Sequence, residues 1–383
     1  MCLHGTSCRR NSHAQVRIGR PARKNLRTGR ARGHRLNRLA GSQGDTPAIA
    51  ICIPVRDEVA RLPRLFDALE QLVVPAGASV RACLLLDGCV DGSADVAASY
   101  RRRSRHMVRT AAVERSPSNA GIARHRAMRL GMEALGPAGG ILLTTDADSW
   151  PRRDWLEATT SALDHADVVA GNVVRRGGGS HAGQDRIERY YTRLFALRRR
   201  ADPVGWESAT THHHASGANI AIRSDVYDKL GGFAPLVSGE DARLIDDASR
   251  AGLRVRRDAA SVVYTSDRRD GRAQGGLATT LTMLDRQGLA GVCVTHPADQ
   301  LWQYDRHALA RRAFATADFN LLAGAIDLAV DHILGVARDC PNAEAFAMRV
   351  VPIAPQGMRQ VTLAVAEAVL ATLAAATPPA QAA

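Results

Sequence analysis

Lysine is nearly missing from this chain: Lys24 and Lys229 are the only two among 383 residues. That leaves little for chemistry built on a lysine. A haloacid-dehalogenase-type phosphatase pairs a strand-end D-x-D with a downstream lysine. A sugar-phosphate nucleotidyltransferase wants a glycine-rich, lysine-bearing signature near its first strand, and "IPVRDE" has none. Also missing is any C-x-x-C pair. The seven cysteines, Cys2, Cys8, Cys52, Cys83, Cys89, Cys293 and Cys340, are odd in number and scattered. That argues against a disulfide framework or zinc knuckle and for a reducing cytoplasm. No run of about 18 uncharged apolar residues occurs, so no transmembrane helix is expected. "VTLAVAEAVLATLAAAT" (361–377) is broken by Glu367 and reads as an amphipathic or core helix. No continuous apolar stretch follows the N-terminal charges, so a secretory signal is not expected. There is no internal repeat.

The net charge of +13 is unevenly placed. Residues 1–45 hold eleven Lys or Arg and one acid, Asp45, so this segment carries +10 and the remainder +3. The segment has no apolar periodicity and reads as a disordered tail. It is either uninvolved or an arm for anionic lipid at the inner membrane face. Binding of nucleic acid through it is the less favoured reading.

After the tail, strand-like and helix-like stretches alternate. "AIAICIPVR" (48–56), "VRACLLLDG" (80–88), "HMVRTAAVE" (106–114), "GGILLTTDAD" (139–148) and "DVVAGNVV" (167–174) read as strands. Helical spacing runs through 58–72, 93–105, 120–135 and 151–166, the last with Pro151 at a first-turn position. A helix over 186–202, a strand over 216–223, helices over 224–233 and 240–252, and an edge-like strand over 254–266 follow. Ser224 is a candidate N-cap and Gly231 a candidate C-cap. Beyond about 276 the chain is Ala- and Leu-rich and mostly helical. Such alternation predicts an α/β fold with a mostly parallel sheet covered on both faces. Ligands of such sheets sit outside the carboxyl ends of the strands.

Three expected strands end in polar residues: Arg56-Asp57-Glu58, Asp87, and Asp146-Ala147-Asp148. A strand-end D-x-D can hold a hard divalent cation that keeps phosphate oxygens among its ligands. It can equally be a helix start, capped by Asp148 or Ser149. Asp87 is placed to accept hydrogen bonds from a base or sugar, or to open an Asp-Gly turn. Glu240 and Asp241, in "VSGEDARL", stand at a helix mouth, where a carboxylate is favoured in its charged form and suits a general base. They read equally as an ordinary helix-start pair. "HHHASGAN" (212–219) reads as a loop near an acceptor in preference to a zinc site, because consecutive histidines point in different directions.

Together these stretches resemble a family-2 glycosyltransferase over residues 48–275. "ICIPVRDE" resembles the opening P-x-x-N-E, with Asp57 in place of asparagine. "LLLDGCVDGSADVA" resembles D-D-G-S-x-D-G-T, with Gly88 at the second aspartate. "NAGIARHRAMRLG" resembles N-x-G-x-x-x-A-R-N-x-G. "TTDADSWPRRDWL" carries the D-x-D and the following proline. "GANIAIRSDVYDKLGGF…GEDARL" resembles G-x-N-x-A-x-R…G-G-F…E-D. No Q-x-x-R-W box is present; "YTSDRRDGRAQGG" (264–276) stands in its place.

The resemblance implies a GT-A fold, Rossmann-like, with a helical C-terminal extension. The organisation expected is a tail (1–45), a transferase domain (46–275) and the extension (276–383). It implies a nucleoside-diphosphate-sugar donor, an acceptor that the sequence does not name, and Mn²⁺ or Mg²⁺. Pro54, Asp57, Glu58, Asp87 and Asp146 would line the nucleotide pocket. Asp146 and Asp148 would hold the metal. Asp241 would be the base, with Glu240 beside it. Gly217, Ala218 and Asn219 would border donor sugar and acceptor. The loop that stands in place of the missing box either closes over the diphosphate, with Arg268, Arg269 or Arg272 reaching it, or is a solvated basic loop. The outcome would be metal-dependent transfer with inversion. The alternatives are a sugar-phosphate nucleotidyltransferase and a non-catalytic nucleotide- or nucleic-acid-binding protein.

Overall fold

The computed structural model describes residues 47–177, 182–271 and 275–376. The basic tail and Arg272 lie outside the described residues. The first strand sets the pattern. β1 (Ala48–Val55) alternates large and small: Ile49, Ile51 and Ile53 face one way, Ala50 and Cys52 the other, and all five are fully buried. A strand apolar on both faces belongs in the middle of a covered sheet.

The chain continues through α1 (Leu62–Glu70), β2 (Ser79–Asp87), α2 (Ser93–Arg103), β3 (Met107–Val113), α3 (Ala120–Leu135), β4 (Ile141–Thr144), β5 (Ser149–Pro151), α4 (Trp155–Leu163) and β6 (Val168–Arg176). Then come α5 (Ala182–Ala201), β7 (Ile220–Arg223), α6 (Ser224–Lys229), α7 (Glu240–Arg250) and β8 (Val255–Ser266). The eight strands form one sheet in the order β3-β2-β1-β4-β7-β6-β8-β5. β3, β2, β1 and β4 pair in parallel, as do β6 and β8, whereas β7 and β5 run against their neighbours. This is the α/β, mostly parallel sheet that the alternation predicts.

The isoleucine face of β1 packs with Leu65, Phe66 and Leu69 of α1, Tyr100 of α2 and Trp155 of α4. The small face packs with Met128 and Leu130 of α3 and with Leu244 of α7. Small residues there let α3 approach closely. A Cβ on Gly131 would stand 2.4 Å from Cys52 Sγ, well inside van der Waals contact.

Four local expectations are corrected. The strand over 139–148 shortens to Ile141–Thr144, so the D-x-D lies in the connection after it. Pro151 does not open a helix. Ser149–Pro151 pairs with Val263–Thr265 as an edge strand, where a proline's missing N–H is tolerated, and the helix starts at Trp155. That edge strand makes β8 an interior strand instead of an edge. Ser224 caps no helix; its Oγ accepts from the Gly140 N–H at 3.1 Å.

Beyond residue 276 come α8 (Leu277–Gln287), β9 (Cys293–Thr295), α9 (Pro297–Thr316), α10 (Asn320–Ile326), α11 (Val330–Arg338), α12 (Ala343–Val350), β10 (Gln360–Thr362) and α13 (Leu363–Ala376). Ile187, Tyr190, Leu194 and Leu197 of α5 pack on Val292, Val294, Leu363 and Leu370, which fixes α5 against this helical part. Among the described residues no single helix is long and apolar enough to cross a membrane. α10 and α11 pass that test only as a pair bent by 109°.

Candidate active site

Strand direction gathers the polar residues at one edge. β1, β2 and β4 run in parallel, so Glu58, Asp87 and Asp146 leave the sheet on the same side. β7 runs the other way and begins where β4 ends, with Ile220 opposite Thr144, which brings Gly217 and Ala218 to that edge. β6 and β8 end there too and deliver Arg175 and Arg268. The N-terminus of α7 closes the ring with Glu240 and Asp241. The resulting cleft has a volume of about 410 Å³ and is lined by Pro54, Glu58, Asp87, Asp146, Asp148, Gly217, Ala218, Glu240, Asp241 and Arg268, among others.

Arg124 of α3 is the hub. Its Nη1 lies 2.8 Å from Asp146 Oδ1, 3.2 Å from Thr144 Oγ1 and 2.8 Å from the Gly217 carbonyl, and its Nε lies 3.1 Å from Glu240 Oε1. Burial opposes its charge, but Asp146 and Glu240 outweigh that and hold the guanidinium more firmly protonated than usual. Glu240 is itself 4% exposed. Burial pushes its carboxyl upward against the pull of Arg124, with Asp241 adding to the rise. Asp241 accepts from the Gly217 N–H (3.1 Å) and from the Ala242 N–H (2.7 Å).

Arg268 is a second bridge. It forks onto Glu58, with Nη1 to Oε2 at 2.9 Å, and its Nε stands 2.9 Å from Asp148 Oδ2. Ser266 Oγ also donates to Asp148 Oδ2 at 3.0 Å. Burial raises the Glu58 carboxyl above its usual range, opposed by Arg268. Asp148 is raised the same way, with neighbouring Asp146 adding to the rise. Asp87 pairs with Arg56 at 3.2 Å.

The donor set decides whether a divalent cation fits. Asp146 and Asp148 offer hard carboxylate oxygens on one cleft wall. Such a pair suits Mg²⁺ or Mn²⁺, which bind through one or two carboxylates and complete the shell with phosphate and water. Among the described residues no group of three or more His, Cys, Asp or Glu side chains stands together to hold a metal. The cation would therefore share its shell with the ligand. It would also compete with Arg268 for Asp148.

Two expected site residues stand elsewhere. Asp57 is absent from the cleft lining. With φ at +53°, it accepts from the Val90 N–H (2.8 Å) and pairs with Arg115 (2.8 Å), bracing the turn after β2. Asn219 lies beneath the cleft at 1% exposure. It accepts from Trp155 Nε1 at 2.8 Å and donates to the carbonyls of Asn172 and Ser261, each at 3.0 Å. Its amide is used up inside the fold. Arg269 turns away to Asp285. Sequence reasoning missed Arg124 and Arg175, and named Arg56 only as part of a polar strand end. For Arg124 a signal existed: it sits at helical spacing with Gly121, Met128 and Gly131, a charge inside the stripe that α3 buries.

Fold and cleft together define an α/β protein with an acid- and arginine-lined cleft at the carboxyl edge of its sheet. Residues 50–231 match the family model described as glycosyl transferase family 2. The chain's eight-stranded, mostly parallel sheet and flanking helices are the α/β arrangement expected. A comparison with curated proteins gave no match. Among solved structures the chain is similar to S. aureus TarS 1–349 in complex with UDP-GlcNAc, at 15% identity over 79% of this chain and 90% of that one, with a TM-score of 0.44. It is also similar to the mannosyltransferase PcManGT from Pyrobaculum calidifontis in complex with GDP-Man and Mn²⁺, at 18% identity over 88% and 77%, with a TM-score of 0.44.

Proposed function

We propose that this cleft transfers a sugar from a nucleoside-diphosphate donor to an acceptor hydroxyl in one inverting displacement. The observation that carries the reading is the convergence of Asp87, Asp146, Asp148 and Asp241 on one cleft together with Arg124 and Arg268. Asp87, held by Arg56, receives the base or ribose. Asp241, fixed by two backbone N–H groups, takes the proton from the acceptor hydroxyl. Glu240 takes no part in that proton transfer, because its charge is committed to Arg124; it positions the hub that orients Asp146. Arg268 is placed to exchange its carboxylate partners for the donor's diphosphate and to balance charge on the departing group. A divalent cation held by Asp146 and Asp148 would supply further charge neutralisation at the same oxygens.

Thermal shifts with UDP, GDP, ADP and CDP, with and without Mn²⁺, test the donor reading. One diphosphate is expected to stabilise the protein, more so with metal. Absence of any stabilisation removes it. Asp241→Asn is expected to keep that stabilisation and to lose about 10²–10⁴-fold in transfer rate, the usual worth of a positioned base. Near-normal turnover in the variant removes Asp241 as the base.

A further inference from the structure

The cleft has a second lobe that the donor chemistry leaves unused. α5 lines it with Gln184, Glu188 and Tyr191, and the loop before β7 adds His213 and His214. We infer that this lobe is the acceptor subsite and that it takes an uncharged, polyhydroxylated ring, that is, a neutral sugar. The inference rests on the transfer reading above and names its acceptor class.

Three observations carry it. The first is a leftover acceptor atom. Gln184 is 9% exposed, and its Nε2 donates to Glu188 Oε1 at 3.1 Å, which fixes the orientation of the amide. Its Oε1 is buried with no hydrogen-bond partner. A buried unpaired acceptor costs free energy unless a donor is brought to it, and a ligand hydroxyl is such a donor. The second is a wall of flat rings. Tyr191 and His213 lie with centroids 5.9 Å apart and planes 28° apart, and His213 and His214 are 4.1 Å and 36° apart. Ring faces of this kind suit the C–H face of a pyranose, whose hydroxyls point outward from its rim.

The third observation is charge. The cation of this lobe, Arg175, is already engaged by Glu188 through two nitrogens at 3.1 Å and by Asp185. Both histidines are uncharged at neutral pH: burial, then His214 and Arg257, push His213 down to about 3, and burial lowers His214 despite Glu188. Among the described residues that line this lobe, none offers a phosphate or carboxylate a spare positive charge. The polar wall also sits close to the proposed base. His214 is three residues before Gly217, whose N–H holds Asp241.

Saturation-transfer NMR on the full chain tests this without turnover. The probes are methyl α- and β-glycosides of glucose, galactose and mannose, against sn-glycerol 3-phosphate. Neutral glycosides are expected to give the signal and glycerol phosphate none. Gln184→Leu is expected to weaken glycoside binding about tenfold, the scale of one buried polar group left unpaired. Tyr191→Leu, which removes a ring face and no hydrogen bond at Gln184, is expected to weaken it too. Both variants should keep nucleoside-diphosphate stabilisation, which also reports that they are folded. Three results overturn the inference: a signal from glycerol phosphate alone, glycoside binding unchanged in both variants, or no glycoside signal from a protein that a diphosphate stabilises. Glycoside binding that the variants abolish, in a protein no diphosphate stabilises, supports the sugar lobe and removes the transfer reading instead.

Discussion

Arg124 and Glu240, 116 positions apart in the chain, meet at 3.1 Å with side chains 9% and 5% exposed. This pair joins the helix behind the sheet to the helix that presents Asp241. Breaking a buried ion pair from one side strands the other charge, at about 3–5 kcal/mol. Arg124→Met would strand two carboxylates, Glu240 and Asp146. The variant is expected to lose stability on that scale in urea unfolding, and nucleotide binding with it. A variant with an unchanged urea midpoint would show that the arginine is not the hub. Arg124→Lys is expected to recover only part of the loss, because an ammonium cannot span the four acceptors that the guanidinium reaches.

Arg268 offers a different kind of prediction, because one guanidinium serves two cleft carboxylates. It satisfies Glu58 and Asp148, two carboxylates that burial makes reluctant to ionise. Removing it with Arg268→Ala leaves both without their main counter-charge. Nucleoside-diphosphate affinity is then expected to fall in calorimetry. Dependence on Mn²⁺ is expected to rise, because a cation becomes the remaining means of neutralising Asp148 and the diphosphate together. If affinity falls equally with and without metal, Arg268 and the cation do not share this site.

How much of this was legible in the residues differs by scale. The alternation of strand and helix gave the sheet, because β1, β2 and β4 are apolar on both faces and can sit nowhere else. Strand-end acids gave most of the cleft, because parallel strands end on one side. Pairing was not legible. Nothing in "DSWPRRDWL" shows that Ser149–Pro151 would be captured by Val263–Thr265, so Pro151 looked like a helix start. Nor does "GAN" separate Gly217, which lines the cleft, from Asn219 two residues later, which turns inward to Trp155. Such distinctions depend on which face a residue takes after folding. Arg175 was hidden for the same reason: a sequence rich in arginine does not say which ones turn inward.

Histidine burial predicts the acid limb of stability. His212, His213 and His307 are each pushed down to about 3, burial being the main cause and neighbouring positive groups the next. All three start from an unfolded value near 6.5. Their folded forms bind fewer protons than the unfolded chain between those limits. The stability they contribute is therefore full above pH 6.5 and is lost as pH falls toward 3. Each adds a slope of at most about 1.4 kcal/mol per pH unit. Buried Glu240 and Glu344, whose carboxyls are raised, act in the opposite sense and flatten part of the limb. Urea midpoints from pH 7 to 4 are expected to fall, and His307→Gln to remove about one proton's worth of slope. A wild-type stability that is flat over this range would contradict the buried, neutral state of these rings.

Asn219 separates a structural role from a site role. Its Oδ1 accepts from Trp155 Nε1 at 2.8 Å and from Ser261 Oγ at 3.3 Å, and its Nδ2 serves two carbonyls. These bonds tie α4, β6, β7 and β8 together under the cleft. Asn219→Ala leaves the indole N–H and two carbonyls buried without partners, each costing about 1–3 kcal/mol. The variant is expected to unfold at markedly lower urea concentration. The fraction that remains folded should bind donor and acceptor with unchanged constants, because no atom of Asn219 reaches the cleft surface. A variant of wild-type stability with a raised acceptor KM would return Asn219 to the pocket, where the sequence resemblance had put it.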